Sequence, residues 1–386
     1  MPPEPRTGPL GWLLSGDRPG TPLLAVLLLL VLIGLATAPF LFPGQRSVAV
    51  AARICIFIVL AASYDILLGY TGIVSFAHTM FFGIGAYGVS IALSKYGVGW
   101  PQVLLGAGAG VALAVVVAMI IGLLSLRVRA IFFSMITLAV ASFALILATQ
   151  LRDLTGGEDG LTFSVPRELT PAFRLFSEPL FGVRLDGRIV TYYLIFLSAV
   201  VLFLLMLRIV NSPSGRVLKA IRENDFRAEA LGYRTVVYRT MSTVLSALFA
   251  TLAGCLLAIW LRYNGPDTSL SFEIMIDILL IVVIGGMGTV YGAAIGSGLF
   301  VIAQSYLQDL LKLGSDAASG LPWLAALLSP DRWLLWLGVL FVLSVYYFPT
   351  GVVGRLRAMQ PAARTPATPA APSASTTAIK GDYVEN

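Results

Sequence analysis

A chain whose apolar residues come in successive runs of about twenty has to place each run in hydrocarbon. A helix of that length, rising 1.5 Å per residue, covers a bilayer core of roughly 30 Å. The first run extends from Leu23 to Phe42. Others lie at about Val48 to Leu68, Ile73 to Leu93, Val103 to Leu126, Ala130 to Leu151, Tyr192 to Leu207, Thr240 to Leu261, Phe272 to Ile284, Val290 to Leu307 and Trp333 to Phe348. The pattern predicts an all-α polytopic membrane protein with about ten transmembrane helices. Composition agrees: 58% of the 386 residues are hydrophobic and 12% are charged, against roughly a quarter charged in soluble domains. A water-soluble enzyme is excluded, and the net charge of +6 reads as a topology signal, not as a nucleic-acid surface.

Ala36-Thr37-Ala38 resembles a signal-peptidase site. The run around it exceeds the about 7 to 15 residues of a signal h-region, so the first span is expected to be retained. The expected organisation is a flexible cytoplasmic leader over residues 1–21, a membrane domain over 22–350 and a disordered cytoplasmic tail over 351–386, which from Gln360 onward is rich in Ala, Pro, Ser and Thr. Residues 152–190, broken by Pro166, Pro171 and Pro179, form an external loop, and residues 209–239 a cytoplasmic one. Orientation follows the cations, which are retained on the cytoplasmic side. Arg208, Arg216, Lys219, Arg222, Arg227, Arg234 and Arg239 gather around the second loop, and alternation then places Arg127, Arg129, Arg355, Arg357 and both termini inside.

The cytoplasmic loop has a pattern of its own. Val217, Leu218 and Ile221 share one helical face and the opposite face is basic. Asn224 or Asp225 can cap a second short helix from Phe226 to Leu231, which Gly232 can end in a left-handed conformation. Short capped helices suit a docking knob; the plainer alternative is a surface loop held inside by its charge.

The residues that could carry chemistry are few. No GxxxxGK[ST] phosphate loop is present, so any ATP use belongs to a partner. Gly83 to Gly88 formally matches GxGxxG, but it lies inside an apolar run, where small residues serve close helix approach, as at Gly106 with Gly110 and Gly292 with Gly296. Cys55, Cys255 and the single histidine offer no disulfide framework, metal site or catalytic constellation. Ionisable groups within a span cost at least about 2.5 kcal/mol and face a partner or a cavity. Asp65, His78 and Asp277 are therefore candidates for a pathway or gate, with Ser75, Tyr64 and Thr79 beside them. The alternative puts Asp65 near a span end within reach of water, and bonds His78 to a neighbouring helix.

Asp65-Ile66-Leu67-Leu68-Gly69-Tyr70-Thr71-Gly72-Ile73-Val74-Ser75-Phe76-Ala77-His78, followed by Phe81-Phe82-Gly83-Ile84-Gly85-Ala86-Tyr87, resembles the first block of the branched-chain amino acid ABC transporter permeases, the LivM-like subunits. Four further blocks agree in order: Ser125 to Phe133, Leu154 to Leu161, Gly215 to Asn224, and Ile284-Gly285-Gly286-Met287-Gly288-Thr289-Val290-Tyr291-Gly292. The resemblance covers residues 50 to 350 approximately and leaves out the leader and the tail.

The resemblance implies the ABC importer permease fold in a bacterial inner (plasma) membrane. The expected partners are a second related permease, two ATP-binding cassette subunits and an external substrate-binding protein, with lipid around them. No cofactor is expected on this chain, which is a transport subunit and not an enzyme; ATP and magnesium are used by the partner ATPases. Glu229-Ala230-Leu231-Gly232 is similar to the core of the family's Glu-Ala-Ala-like loop, with leucine for its second alanine. Arg216, Arg222, Glu223, Glu229, Ala230 and Gly232 are accordingly assigned to ATPase coupling. Gly69, Gly72, Gly83, Gly85, Gly285, Gly286 and Gly288 are assigned to helix packing. The implied cargo is a branched-chain or related small amino acid, with urea, short amides or aromatic acids as alternatives. An ion-coupled secondary transporter using Asp65 and Asp277 is the alternative from another class, since glycine-interrupted segments occur in both halves.

Overall fold

The computed structural model describes residues 21–42, 44–124, 130–174, 186–317 and 326–358. The long helices follow the apolar runs: α1 (Pro22–Leu41), α2 (Gln45–Thr71), α3 (His78–Lys95), α4 (Trp100–Leu124), α5 (Ala130–Gln150) and α6 (Gly187–Val210). Two short helices, α7 (Pro213–Glu223) and α8 (Asp225–Ala230), lead to α9 (Thr235–Leu261), α10 (Phe272–Gly285), α11 (Val290–Ala317), α12 (Trp333–Tyr347) and α13 (Gly351–Ala358). Among the described residues, 9 segments are long and apolar enough to cross a membrane. The remaining expected span, α3, is 18 residues long and has His78 and Lys95 at its ends, which lowers its apolar content.

The fold is layered by burial. α2, α9 and α11 are mostly enclosed, whereas α1, α5 and α12 present most of their side chains outward. α9 packs along α3, α4 and α2, and α11 packs along α2 and α10. Packing is close because glycines stand at the contacts. A Cβ on Gly85 of α3 would press into the Thr251 carbonyl of α9, and one on Gly106 of α4 into the Gly88 carbonyl of α3. Where lipid supplies no hydrophobic drive between helices, such backbone approach is what holds them. α1 is secured by polar contacts instead: Tyr193 donates to the Ala36 carbonyl at 2.9 Å and Tyr192 to the Leu35 carbonyl.

Two ends of the bundle are distinct. At one, the strand pair β1 (Leu161–Thr162) and β2 (Tyr263–Asn264) joins the loop after α5 to the loop after α9, and Lys95 donates to the Asp153 carbonyl at 2.7 Å. At the other lie α7 and α8, the end of α2 and the turn between α10 and α11.

Three sequence expectations are adjusted. The tail assigned from residue 351 is helical over its first 8 residues, because Val353 is fully buried against Leu24 and Ile295. The loop assigned to 152–190 ends earlier, since α6 already begins at Gly187. The leader assigned to 1–21 contributes Thr21, whose Oγ1 caps α1 by accepting from Leu24 N at 3.3 Å. Residues 1–20, Arg127, Arg129 and the tail from 359 lie outside the described residues.

Candidate coupling and translocation site

The loop between α6 and α9 is built by capping. Ser212 Oγ accepts from Gly215 N at 3.3 Å to start α7, with Pro213 in its first turn. Leu218 and Ile221 bury the apolar face of α7, leaving Arg216 and Glu223 exposed on the other. Asn224 Oδ1 accepts from Arg227 N at 2.9 Å, so Asn224, of the two candidates, caps α8. Gly232 takes φ 89° directly after the helix, a left-handed turn that glycine adopts without strain. Glu229 accepts from Thr235 Oγ1 at 2.7 Å, and Asp225 pairs with Arg239 at 2.8 Å, fixing α8 onto the start of α9. Ala230 is exposed, and beside it Phe226 and Leu231 are 82% and 72% exposed, which gives this knob an apolar tip.

Arg222 points the other way, into the membrane domain. Its Nη1 donates to the Gly69 carbonyl near the end of α2, and its side chain packs over Gly72. Lys219 lies 5.0 Å from the centroid of the Tyr70 ring. Asp65, one turn before Gly69, accepts from the Gly288 amide at 2.8 Å. The turn between α10 and α11 thus meets α2 and α7 at one junction. A Cβ on Gly69 would strike both the Asp65 carboxylate and the Gly288 nitrogen, and Gly288 has φ 82°, so both positions require glycine. Gly285 faces the Gly292 carbonyl, and Gly286 packs against Gly351 at the start of α13. Gly72, expected to serve packing, is the left-handed cap of α2 at φ 75°.

After Gly72 the chain turns back. His78, the first residue of α3, places Nε2 2.8 Å from Ser63 Oγ and 3.3 Å from the Leu60 carbonyl, both on α2. Ser63 lies eight residues before the end of α2, so residues 72–77 climb roughly 12 Å back along it before α3 begins. Their backbone is satisfied by α5: Phe76 N donates to Thr137 Oγ1 at 3.0 Å, and Ser134 Oγ donates to the Val74 carbonyl at 2.9 Å. Ser75 Oγ accepts locally from Ala77 N at 3.3 Å, and Gly83 receives Leu270 from the segment before α10. Ser75 and His78 are therefore buried and bonded within the chain. Asp277 is set apart on α10, where Gln304 Nε2 donates to its Oδ2 at 3.4 Å and Arg53 Nη2 approaches the same oxygen at 4.0 Å.

Residues 47–345 match the family described as branched-chain amino acid transport system, permease component. The chain belongs to the branched-chain amino acid permease family. It is 29% identical over 320 residues to the high-affinity branched-chain amino acid transport system permease protein LivM of Salmonella typhimurium, covering 79% of this chain and 74% of the relative. It is 28% identical over 320 residues to LivM of Escherichia coli, with the same coverage of 79% and 74%. It is also 28% identical over 337 residues to the autoinducer 2 import system permease protein LsrC of Yersinia enterocolitica, covering 83% of this chain and 84% of that protein. No solved structure matches the chain significantly.

In this permease, three blocks far apart in sequence share the junction: Asp65 and Gly69 come from the first, Arg222 from the Gly215 to Asn224 block, and Gly288 from the last. The structure does not bring Asp65, Ser75, His78 and Asp277 into one place; Asp65 belongs to the junction, His78 and Ser75 to the turned-back segment, and Asp277 to a polar group with Arg53 and Gln304. Arg53 and Gln304 went unremarked in the sequence because neither is a carboxylate or a histidine. The signal that could have found Arg53 is a cation seven residues after Arg46, on the same face of the most enclosed helix.

Proposed function

We propose that the chain is the transmembrane permease subunit of an ATP-driven importer for branched-chain or related small amino acids, placed in a bacterial inner membrane with both termini cytoplasmic. A second related permease, two ATP-binding cassette subunits and an external binding protein complete the machine, and ATP with magnesium is handled by the cassettes. Arg222 carries the reading. It sits on the loop helix that carries the basic surface and reaches the end of α2 and the Gly288 turn. A rigid helix wedged there passes a displacement of the docking knob to α2, α10 and α11, whose shift opens the path to one side or the other. Arg216, Glu223, Glu229, Ala230 and Gly232 shape the docking surface of the same two helices.

The test is uptake of labelled leucine by cells carrying the whole importer, with ATP depleted in one arm and the ion gradient collapsed at maintained ATP in the other. Loss on ATP depletion alone supports the reading; loss only with the gradient overturns it in favour of a secondary transporter. Glu229→Lys combined with Gly232→Pro is expected to abolish ATPase association. A second cargo reading, a polar non-amino-acid solute, is favoured by the 28% identity to the autoinducer 2 import permease. It predicts that the same cells take up that solute and not leucine.

A further inference from the structure

A polar stripe runs inward along α2 and α11 from the β1 end of the bundle. Its first step is Arg46, whose Nη1 pairs with Asp309 at 2.7 Å and whose Nη2 donates to the Ser305 carbonyl at 2.7 Å. Its second step lies two turns further along the same face of α2, roughly 10 Å deeper. There Arg53 stands 4.0 Å from Asp277 Oδ2, and Gln304 donates to that oxygen at 3.4 Å. A half-exposed guanidinium is costly against lipid and tends to face a cavity or a partner, which favours water or another polar surface on this face.

The second step is incompletely satisfied. The Arg53 side chain is 42% exposed, and among the described residues it makes no hydrogen bond, its approach to Asp277 being too long for one. Gln304 Oε1 is buried and has no donor among the described residues. Among the described residues, Asp277 receives one long hydrogen bond, from Gln304. The guanidinium lies over the Phe57 ring, 5.2 Å from its centroid, and its hydrogen-bonding edge matches a carboxylate in bidentate geometry. Beside it is the Asp277 carboxylate, held by Gln304 Nε2 and an acceptor suited to an ammonium group. We infer that Arg53, Asp277 and Gln304 form a station on the import path that holds the carboxylate and ammonium groups of a zwitterionic amino acid. The Arg46–Asp309 pair is the step before it. The inference rests on the importer reading above and names what that reading leaves open, the part of the cargo this chain senses. A station that grips only the charges common to all amino acids leaves side-chain selection to the binding protein.

The complete importer, with its companion permease, cassettes and binding protein, provides the test. Arg53→Gln and Asp277→Asn are each expected to lower the maximal rate of labelled leucine uptake at least tenfold, with complex yield and cassette assembly unchanged. Uptake within twofold of wild type in both variants overturns the station. So does full uptake in the reversed pair, Arg53→Asp with Asp277→Arg, because a merely structural ion pair survives reversal whereas an oriented station does not. Should these variants fail to assemble, Ala49→Cys on the same face keeps Arg53 in place. Its labelling by a membrane-impermeant thiol reagent from outside, slowed by leucine-loaded binding protein, supports the station, and absence of labelling overturns it. Failure of the importer reading looks different: the wild-type complex then imports no amino acid at all.

Discussion

Asp65 Oδ1 accepts a hydrogen bond from the Gly288 amide at 2.8 Å, across 223 residues of chain, and this single bond ties α2 to the turn between α10 and α11. Arg222 donates to the Gly69 carbonyl beside it, so the loop helix, α2 and the turn meet where no side chain larger than hydrogen fits at Gly69. A junction of this kind can relay a push because its members have no slack in which to absorb it.

Asp65→Ala leaves the Gly288 amide without its partner and is expected to cost about 1 to 3 kcal/mol, the penalty of an orphaned donor. Asp65→Asn keeps an acceptor and is expected to cost less. Thermal unfolding of the purified protein in detergent orders the three; equal midpoints for Asp65→Ala and wild type would refute the role of the bond.

Arg222→Ala is expected to lower leucine uptake at least tenfold while the cassettes still co-purify. The docking tip and the membrane contact are on different residues, so assembly and transport should separate. Co-purification and uptake measured on one preparation check this, and unchanged uptake would remove Arg222 from the relay.

Phe226→Asp and Leu231→Asp are expected to act on assembly instead. Both side chains are largely exposed, so the chain itself should remain folded, while a charge placed on the apolar tip weakens cassette binding. Cassette recovery on affinity purification reads the effect, and recovery at wild-type levels in both variants would move the docking surface elsewhere.

Gly85→Ala drives a methyl into the Thr251 carbonyl, and overpacking at such a contact is expected to cost about 1 to 3 kcal/mol. Gly108→Ala, on α4 where a Cβ meets nothing within 4 Å, is expected to be neutral or slightly stabilising through helix propensity. Melting curves of the two variants side by side give the comparison, and a similar shift in both would argue against backbone contact as the source of α3–α9 packing.

The spans were legible because hydrocarbon imposes a single length scale on every apolar run, and each run expected from Leu23 to Phe348 contains a long helix. The capped pair α7 and α8 was legible because capping is local: Asn224 and Gly232 act on residues within one turn. Local pattern also misled. The block from 351 carries no long apolar run, yet its first turns are helical because Val353 finds a slot between Leu24 and Ile295, residues far from it in sequence. His78 was open between pathway and interhelical bond, and its pairing with Ser63 depends on the chain climbing back from Gly72, which periodicity does not encode.

By itself, then, the sequence determined that the chain crosses a membrane many times, which runs cross, and where the capped loop lies, since each of these follows from the length and polarity of contiguous residues. Tertiary structure alone decided that Asp65 meets Gly288, that Arg222 reaches Gly69, and that Arg53, Asp277 and Gln304 share a face. Those meetings depend on how the helices cross, and the crossing is set by backbone contact at particular glycines, a quantity spread over residues too distant in sequence for any local pattern to hold.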